Sequence, residues 1–335
     1  MNALLRWALA ALILASAAPA FAQSLGTVRF GLLKNVTHAP ALVALQEGFL
    51  QKNLGPGVKI EVSAFNNGSD FSTALASGQL DIGFVGPGPL INQYLKSKNF
   101  RVISGSNNGG AVLVVRSDAG IKTVADLKGK TVAIPTKGST NEISLRLLLK
   151  QVGLKVTDDA TGVQLITRAP ADAITGFRQK QIDAALIPEP WGTQIVQAGL
   201  GSVLVDWDHI PPEDGNYPLT ILVASDDFLK NHKDWALAVI KSNLDGIAFL
   251  KASPEKSWTS VSDQLKTLTG KGIDPALVKA ALDHLSLTDQ VSLSSLETFA
   301  QASFEAGYLR GVSAADLKLG TFLDLSYLAE AKKKK

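Results

Sequence analysis

Four short polar segments hold the residues with chemistry to offer: Asn35-Val36-Thr37-His38, Gly86-Pro87-Gly88-Pro89, Lys137-Gly138-Ser139-Thr140 and Glu189-Pro190-Trp191. The first and third lead into apolar helices at Ala41 and Ile143. The opening N–H groups of a helix have no intrahelical partner and sit at the positive end of its dipole, so such a start can hold an anion without a formal positive charge. Thr37 or Asn35 can cap the first helix, with or without a ligand beside it. His38 either donates to a ligand oxygen or sits on the surface at the helix start. Gly86 and Gly88 allow close backbone approach to a ligand, or make a plain tight turn. Ser139 followed by Glu142 is a capping box, which accounts for both residues structurally, yet this helix start is the counterpart of the Thr37–His38 start. Lys137 adds charge or is a solvated loop lysine. Trp191 offers a rigid wall with one N–H donor, or packs at a hinge. Glu189 would repel a bare anion and suits an amine on the far end of a ligand, or N–H groups of a facing lobe.

Other motifs fail. Gly129-Lys130-Thr131 resembles the end of a phosphate loop, but Val124 replaces the required glycine and a strand follows where a helix should. Ile91 stands where a dinucleotide fingerprint needs its third glycine. His38, His209, His232 and His284 have no metal-ligand spacing, and no Gly-x-Ser-x-Gly elbow occurs. No catalytic residue, metal or cofactor is therefore expected, and the chain is read as a binder rather than an enzyme.

The elements that must position these segments alternate between short Val/Ile/Phe-rich runs and stretches of helical period, the signature of an α/β fold with helix-covered sheets. Strands are expected at Thr27 to Leu33, Val58 to Ala64, Asp81 to Val85, Arg101 to Ser104, Ala111 to Val115, Thr131 to Ile134, Val163 to Thr167, Asp183 to Ile187, Val203 to Val205 and Leu219 to Ala224. From about Asp226 the chain reads as helical, with Pro254 and Pro275 placed to open helices. The run Gln79-Leu80-Asp81-Ile82-Gly83-Phe84-Val85 is echoed by Gln181-Ile182-Asp183-Ala184-Ala185-Leu186-Ile187. The first strands of the two halves, at Val28 and Val132, precede those aspartates by 53 and 51 residues. Motif, order and spacing agree, which points to a duplicated β-α-β-α-β unit. Two open-sheet lobes facing each other make a cleft at the carboxyl ends of their strands. The polar run Gly105 to Gly110 is expected to cross flexibly from lobe to lobe, and a return near Glu213 to Pro218 completes a two-strand hinge around Asn108 and Asn216. Asn108 is a further candidate ligand contact. The expected lobes are 23–108 with 217–335, carrying the helical tail, and 109–216.

The chain has 335 residues, 46% hydrophobic and 19% charged, enough for two lobes with cores of their own. Thirty-three Lys and Arg face 30 Asp and Glu, but removing the terminal run Lys332–Lys335 and the leader's Arg6 leaves 28 against 30. That near-neutral body argues against nucleic acid as a partner. Zero cysteine excludes a disulfide framework, thiol nucleophiles, cysteine-bound zinc and a lipidated terminal cysteine. Residues 1–22 read as a signal peptide: Arg6, an apolar stretch from Trp7, and an Ala20-Phe21-Ala22 cleavage site. An exported, unanchored product in the periplasm is expected.

Taken together, Asn35 to Leu42, Gly78 to Gly83, Asp126-Leu127-Lys128-Gly129-Lys130-Thr131-Val132-Ala133, Gly138-Ser139-Thr140 and Glu189-Pro190-Trp191 resemble the periplasmic solute-binding proteins of ABC importers, in the group taking up nitrate, bicarbonate, taurine and aliphatic sulfonates. The resemblance runs from Thr27 to Leu328. It implies a type II periplasmic-binding-protein fold, monomeric, that closes on a small anionic ligand and delivers it to an ABC permease and ATPase complex. It also implies that Thr37, His38, Gly86, Pro87, Ser139, Thr140 and Glu189 contact ligand, with Asn66 to Asp70 as weaker candidates. Neutral donors and a flanking tryptophan, rather than an arginine cluster, favour an aliphatic sulfonate or taurine over nitrate, bicarbonate or a multiply charged phosphonate. An enzyme of similar architecture, hydroxymethylbilane synthase, tethers its cofactor through a cysteine that this chain lacks. A metabolite-sensing receptor domain would need a membrane span to reach its signalling partner, and none follows the leader.

Overall fold

The computed structural model describes residues 26–334; the signal peptide expected at 1–22, like Lys335, lies outside the described residues. The first half comprises β1 (Gly26–Leu33), α1 (Ala39–Gln46), α2 (Phe49–Leu54), β2 (Val58–Phe65), α3 (Gly68–Ala76), β3 (Ile82–Val85), α4 (Pro87–Ser97) and β4 (Phe100–Gly109). The second comprises β5 (Ala111–Arg116), β6 (Thr131–Ile134), α5 (Thr140–Gln151), β7 (Gln164–Thr167), α6 (Pro170–Arg178), β8 (Ala184–Pro188), α7 (Trp191–Gln197) and β9 (Gly201–Val205). Then follow β10 (Pro218–Ser225), α8 (Asp226–Asn231), α9 (Lys233–Ala252), α10 (Pro254–Thr269), α11 (Pro275–Leu282), β11 (Leu285–Leu287), α12 (Leu293–Glu305) and α13 (Ser326–Lys333).

Two sheets result, ordered β11-β4-β10-β3-β1-β2 and β7-β6-β8-β5-β9. In the first, β2, β1 and β3 are parallel and β10 runs antiparallel between β3 and β4. In the second, β7, β6 and β8 are parallel and β5 runs antiparallel between β8 and β9. The duplicated aspartates occupy matching posts. Asp81 Oδ2 accepts the Arg29 N–H at 2.8 Å, and Asp183 Oδ2 accepts the Thr131 N–H at 3.0 Å, each tying the entry of its strand to the neighbouring parallel strand.

Side chains alternate across each strand, so Val112 and Val114 enter one core while Leu113 and Val115 enter another. One core lies under α1, α9 and α10, and one under α6 and α7. The third is continuous between the sheets, running from Phe71 and Tyr94 to Ile134 and Leu148 and including Phe299 of α12.

Three expectations are corrected. The first crossing is not flexible from Gly105: β4 continues to Gly109, paired with β10 on one side and with β11 on the other. Its small polar residues carry no strand signal of their own, and pairing on both edges supplies the order. The turn is confined to Gly109 and Gly110, at φ +65° and +99°, values that favour glycine. Strand β11, three residues in a helical tail, was not expected. Nor does the tail pack on one lobe alone: α12 lies against both α4 and α5, α11 touches α7, and Lys150 pairs with Glu305 at 3.0 Å.

Candidate functional site

The carboxyl ends of the parallel strands from both sheets face one another, and helix starts from both halves gather there, as open-sheet geometry requires. They enclose a cavity of about 60 Å³ lined by Asn35, Thr37 and His38 before α1, Asn67 and Gly68 at the start of α3, Gly86 at the start of α4, Thr136, Ser139, Thr140 and Asn141 at the start of α5, and Pro170 at the start of α6. None of the lining residues is a lysine, arginine, aspartate or glutamate. Burial pushes the His38 imidazole down to about 3, offset only in part by the Phe84 carbonyl, so it is neutral at physiological pH. Positive potential in the cavity therefore comes from N–H groups and helix dipoles alone.

Locally, each side of the site is built differently. Asn35 Oδ1 lies 2.6 Å from Thr37 Oγ1, which donates to it, and 2.7 Å from His38 Nδ1. Thr220 Oγ1 donates to the Thr37 carbonyl at 3.0 Å, tying this turn to β10. On the other side, Ser139 Oγ accepts the Glu142 N–H at 3.2 Å. The Glu142 carboxylate reaches back to the Gly138 N–H, one residue before the position a regular capping box would use. Glu142 is wholly buried and is held further by Arg146 and by the Tyr308 hydroxyl of the tail.

Helices α4 and α5 meet end to end. The Gly88 N–H donates to Thr140 Oγ1 at 3.0 Å, leaving the Thr140 hydroxyl proton for another acceptor. A Cβ on Gly86 would stand 2.6 Å from Thr140 Oγ1, and one on Gly88 would stand 2.6 Å from Thr140 N. These glycines thus serve the approach of one half to the other. Two buried polar atoms of lining residues that can donate have no hydrogen-bond partner: Thr136 Oγ1 and Asn141 Nδ2. Leaving such atoms unpaired is costly, and a polar ligand would relieve the cost.

Asn35, Asn66 and Pro170 also line a wider chamber of about 580 Å³, so the small cavity and the chamber adjoin. Trp191, Phe65, Leu265 and Ile273 supply much of its apolar wall, and Lys34, Asp172 and Lys271 its charged residues.

Of the twelve residues singled out from sequence, Asn35, Thr37, His38, Gly86, Ser139 and Thr140 line the inner cavity, and Trp191 lines the chamber. The structure places the rest elsewhere. Pro87 opens α4 and lines neither space, and Gly88 faces Thr140. Lys137 is exposed and lies outside both. Asn108 belongs to the hinge, where its Nδ2 donates to Asn216 Oδ1 at 2.8 Å. Glu189 is wholly buried and turned to its own helix, its Oε2 accepting the Thr193 N–H of α7 at 3.0 Å. His38 is buried, not a surface residue. Sequence reasoning passed over Thr136 and Asn141, although both flank the Ser139–Thr140 pair at a strand-to-helix junction. It also missed Leu265 to Ile273, for which the sequence holds no local signal. Among the described residues no cluster of three or more acidic or histidine side chains could hold a metal, and no helix is long and apolar enough to cross a membrane.

Residues 22–257 match the NMT1-like family. A binding protein of Brucella abortus (strain 2308) is 31% identical over 228 residues, 67% of this chain; the match spans 66% of that protein's length. The taurine-binding periplasmic protein of Escherichia coli (strain K12) is 29% identical over 248 residues, 72% of this chain and 73% of its own. Among solved structures, the alkanesulfonate-binding protein SsuA from Xanthomonas axonopodis pv. citri, bound to MOPS, superposes with a TM-score of 0.74 at 21% identity, covering 89% of this chain and 98% of its own. The nitrate-binding protein NrtA from Synechocystis PCC 6803 superposes with a TM-score of 0.77 at 15% identity, covering 92% and 88%. At these identities the likeness shows a shared fold, that of periplasmic binding proteins.

Proposed function

The chain belongs to the NMT1-like family, and from that premise we propose that it is the solute-binding component of an ABC importer, capturing a small organic oxyanion of the sulfonate class, the class that includes the taurine and aliphatic sulfonates for which its relatives are named. The observation that carries this reading is the uncharged inner cavity, ringed by helix starts from both halves and holding buried polar atoms without partners. Such a site holds a singly charged oxyanion through neutral donors. A multiply charged anion would call for lysine or arginine there. Nitrate or bicarbonate would fill the inner space and leave the chamber beside Trp191 unused, which favours an anion bearing an organic body. Asn35, Thr136, Ser139, Thr140 and Asn141 are the proposed contacts.

The proposed lobes are 23–108 with 217–335, and 109–216, turning about Gly109–Gly110 and the return at Glu213–Pro218. The proposed setting is the periplasm, as a monomer that hands ligand to an inner-membrane permease and its ATPase. Binding and release, with no catalytic step, is the proposed cycle. A ligand that binds only the folded state raises its melting temperature. A thermal-shift screen followed by calorimetry with taurine, alkanesulfonates, nitrate and bicarbonate is expected to single out the sulfonates. Binding of the small inorganic anions alone would overturn the assignment.

A further inference from the structure

The inner cavity and the chamber share Asn35, Asn66 and Pro170 in their walls, and this adjacency bears on which sulfonates are preferred, an inference that rests on the sulfonate reading above. The chamber, at about 580 Å³, lies in the range of sites that enclose whole organic molecules, whereas the inner cavity of about 60 Å³ has room for a head group only. Its walls come from three separate parts of the chain: Phe65 at the end of β2, Trp191 at the start of α7, and Leu265 with Ile273 from the tail. Prolines on both sides of Glu189 restrict the backbone leading to Trp191, which fixes the point from which the indole projects. A linear two-carbon body such as that of taurine would reach only the inner end of this space. A ring or similarly bulky apolar group can touch the walls from all three segments at once.

We infer that the protein's preferred ligand is a sulfonate whose apolar body is ring-sized, seated in the chamber against Trp191, Phe65 and Ile273, with the tail acting as the wall that sets body size. The inner cavity selects the charge and the outer chamber selects the bulk. The tail's part in the chamber ties specificity to a segment distant in sequence from every helix start around the head group.

Calorimetry at constant head group and varied body tests this, using methanesulfonate, taurine, hexanesulfonate, benzenesulfonate and naphthalenesulfonate. Each methylene-sized increment taken out of water strengthens binding roughly fourfold, so naphthalenesulfonate should bind at least about a hundredfold tighter than methanesulfonate. Trp191→Ala and Ile273→Ala should each weaken naphthalenesulfonate roughly tenfold and leave methanesulfonate within about twofold, the latter also showing that the variants fold. A flat series in the native protein, or an equal loss for every ligand in the variants, overturns the inference and leaves the sulfonate reading standing. Failure of every sulfonate to bind overturns both.

Discussion

The two halves share their scaffold and differ where they meet the cavity. At the strand entries Asp81 and Asp183 perform one task, each accepting a backbone N–H from the adjacent parallel strand and each pairing with an arginine, Arg29 in the first half and Arg116 in the second. The arginines come from different strands, one from the parallel β1 and the other from the antiparallel β5. At the helix starts the likeness ends. The Asn35–Thr37–His38 turn is held mainly by its own side chains and by β10, whereas the start of α5 draws on the tail, through the Tyr308 hydroxyl on Glu142. The frame is thus common to the two halves, while each has separate support for its side of the site. Tail contacts with α5 and α7 also give the second half a connection to the first beyond the two hinge crossings.

The sharpest test of the shared scaffold is to remove both aspartates in turn. Asp81 has 10% of its side chain exposed against 24% for Asp183. Both variants leave a backbone N–H without its acceptor and take one acceptor from an arginine, which keeps others, the Gly78 carbonyl for Arg29 and Asp118 with the Ile182 carbonyl for Arg116, so Asp81→Ala should cost about 2–3 kcal/mol in urea unfolding and Asp183→Ala about 1–2 kcal/mol. Equal costs would mean that the difference in burial between the two posts does not set their contribution.

A pH comparison separates the halves next. Burial pushes the Glu189 carboxyl up to about 7, the Thr193 N–H opposing it in part, so the folded protein keeps a proton that the unfolded chain gives up above its ordinary value of 4.5. Its stabilising contribution is present below pH 4.5 and is lost as pH rises toward 7, a change on the order of 2 kcal/mol. His38 works with the opposite sign: its folded value is about 3 against an ordinary 6.5, so stability is lost as pH falls through that window. Glu189→Gln should remove the decline between pH 4.5 and 7 and leave the acid-side loss, measured as melting temperature against pH. An unchanged decline would show that Glu189 is ionised in the folded protein.

The smallest effect concerns the seam between the halves. Thr140→Ala deletes the acceptor of the Gly88 N–H and the proposed ligand donor, and should weaken sulfonate binding by about 1–2 kcal/mol. Thr37→Ala should lose less, because the Thr37 hydroxyl already donates to Asn35. Calorimetry on the two variants checks the order, and a larger loss at Thr37 would reverse the proposed roles.

Much of the frame was legible in the residues themselves. The Val/Ile/Phe runs became ten of the eleven strands, clearest for the inner strands β3, β8 and β10, where burial on both faces demands continuous apolar side chains. Pro254 and Pro275 open α10 and α11 as expected. The extension of β4 through Ser106 and Asn107 was not legible, since those residues are ordered by partners on each edge rather than by preference. The placing of Lys137 and Glu189 was not legible either: charge suggests ligand contact, yet one is exposed and the other accepts an N–H of its own helix start.

The sequence by itself determined the α/β class, the duplicated unit and the helix starts that ring the cavity, because periodicity, capping residues and a repeated aspartate are local signals. Only the tertiary structure decided which polar atoms converge, how closely Gly88 approaches Thr140, and that residues near Ile273 wall a chamber beside Trp191. Those are distances between segments far apart in the chain, set by how the halves and the tail pack together, and no local pattern of residue types encodes them.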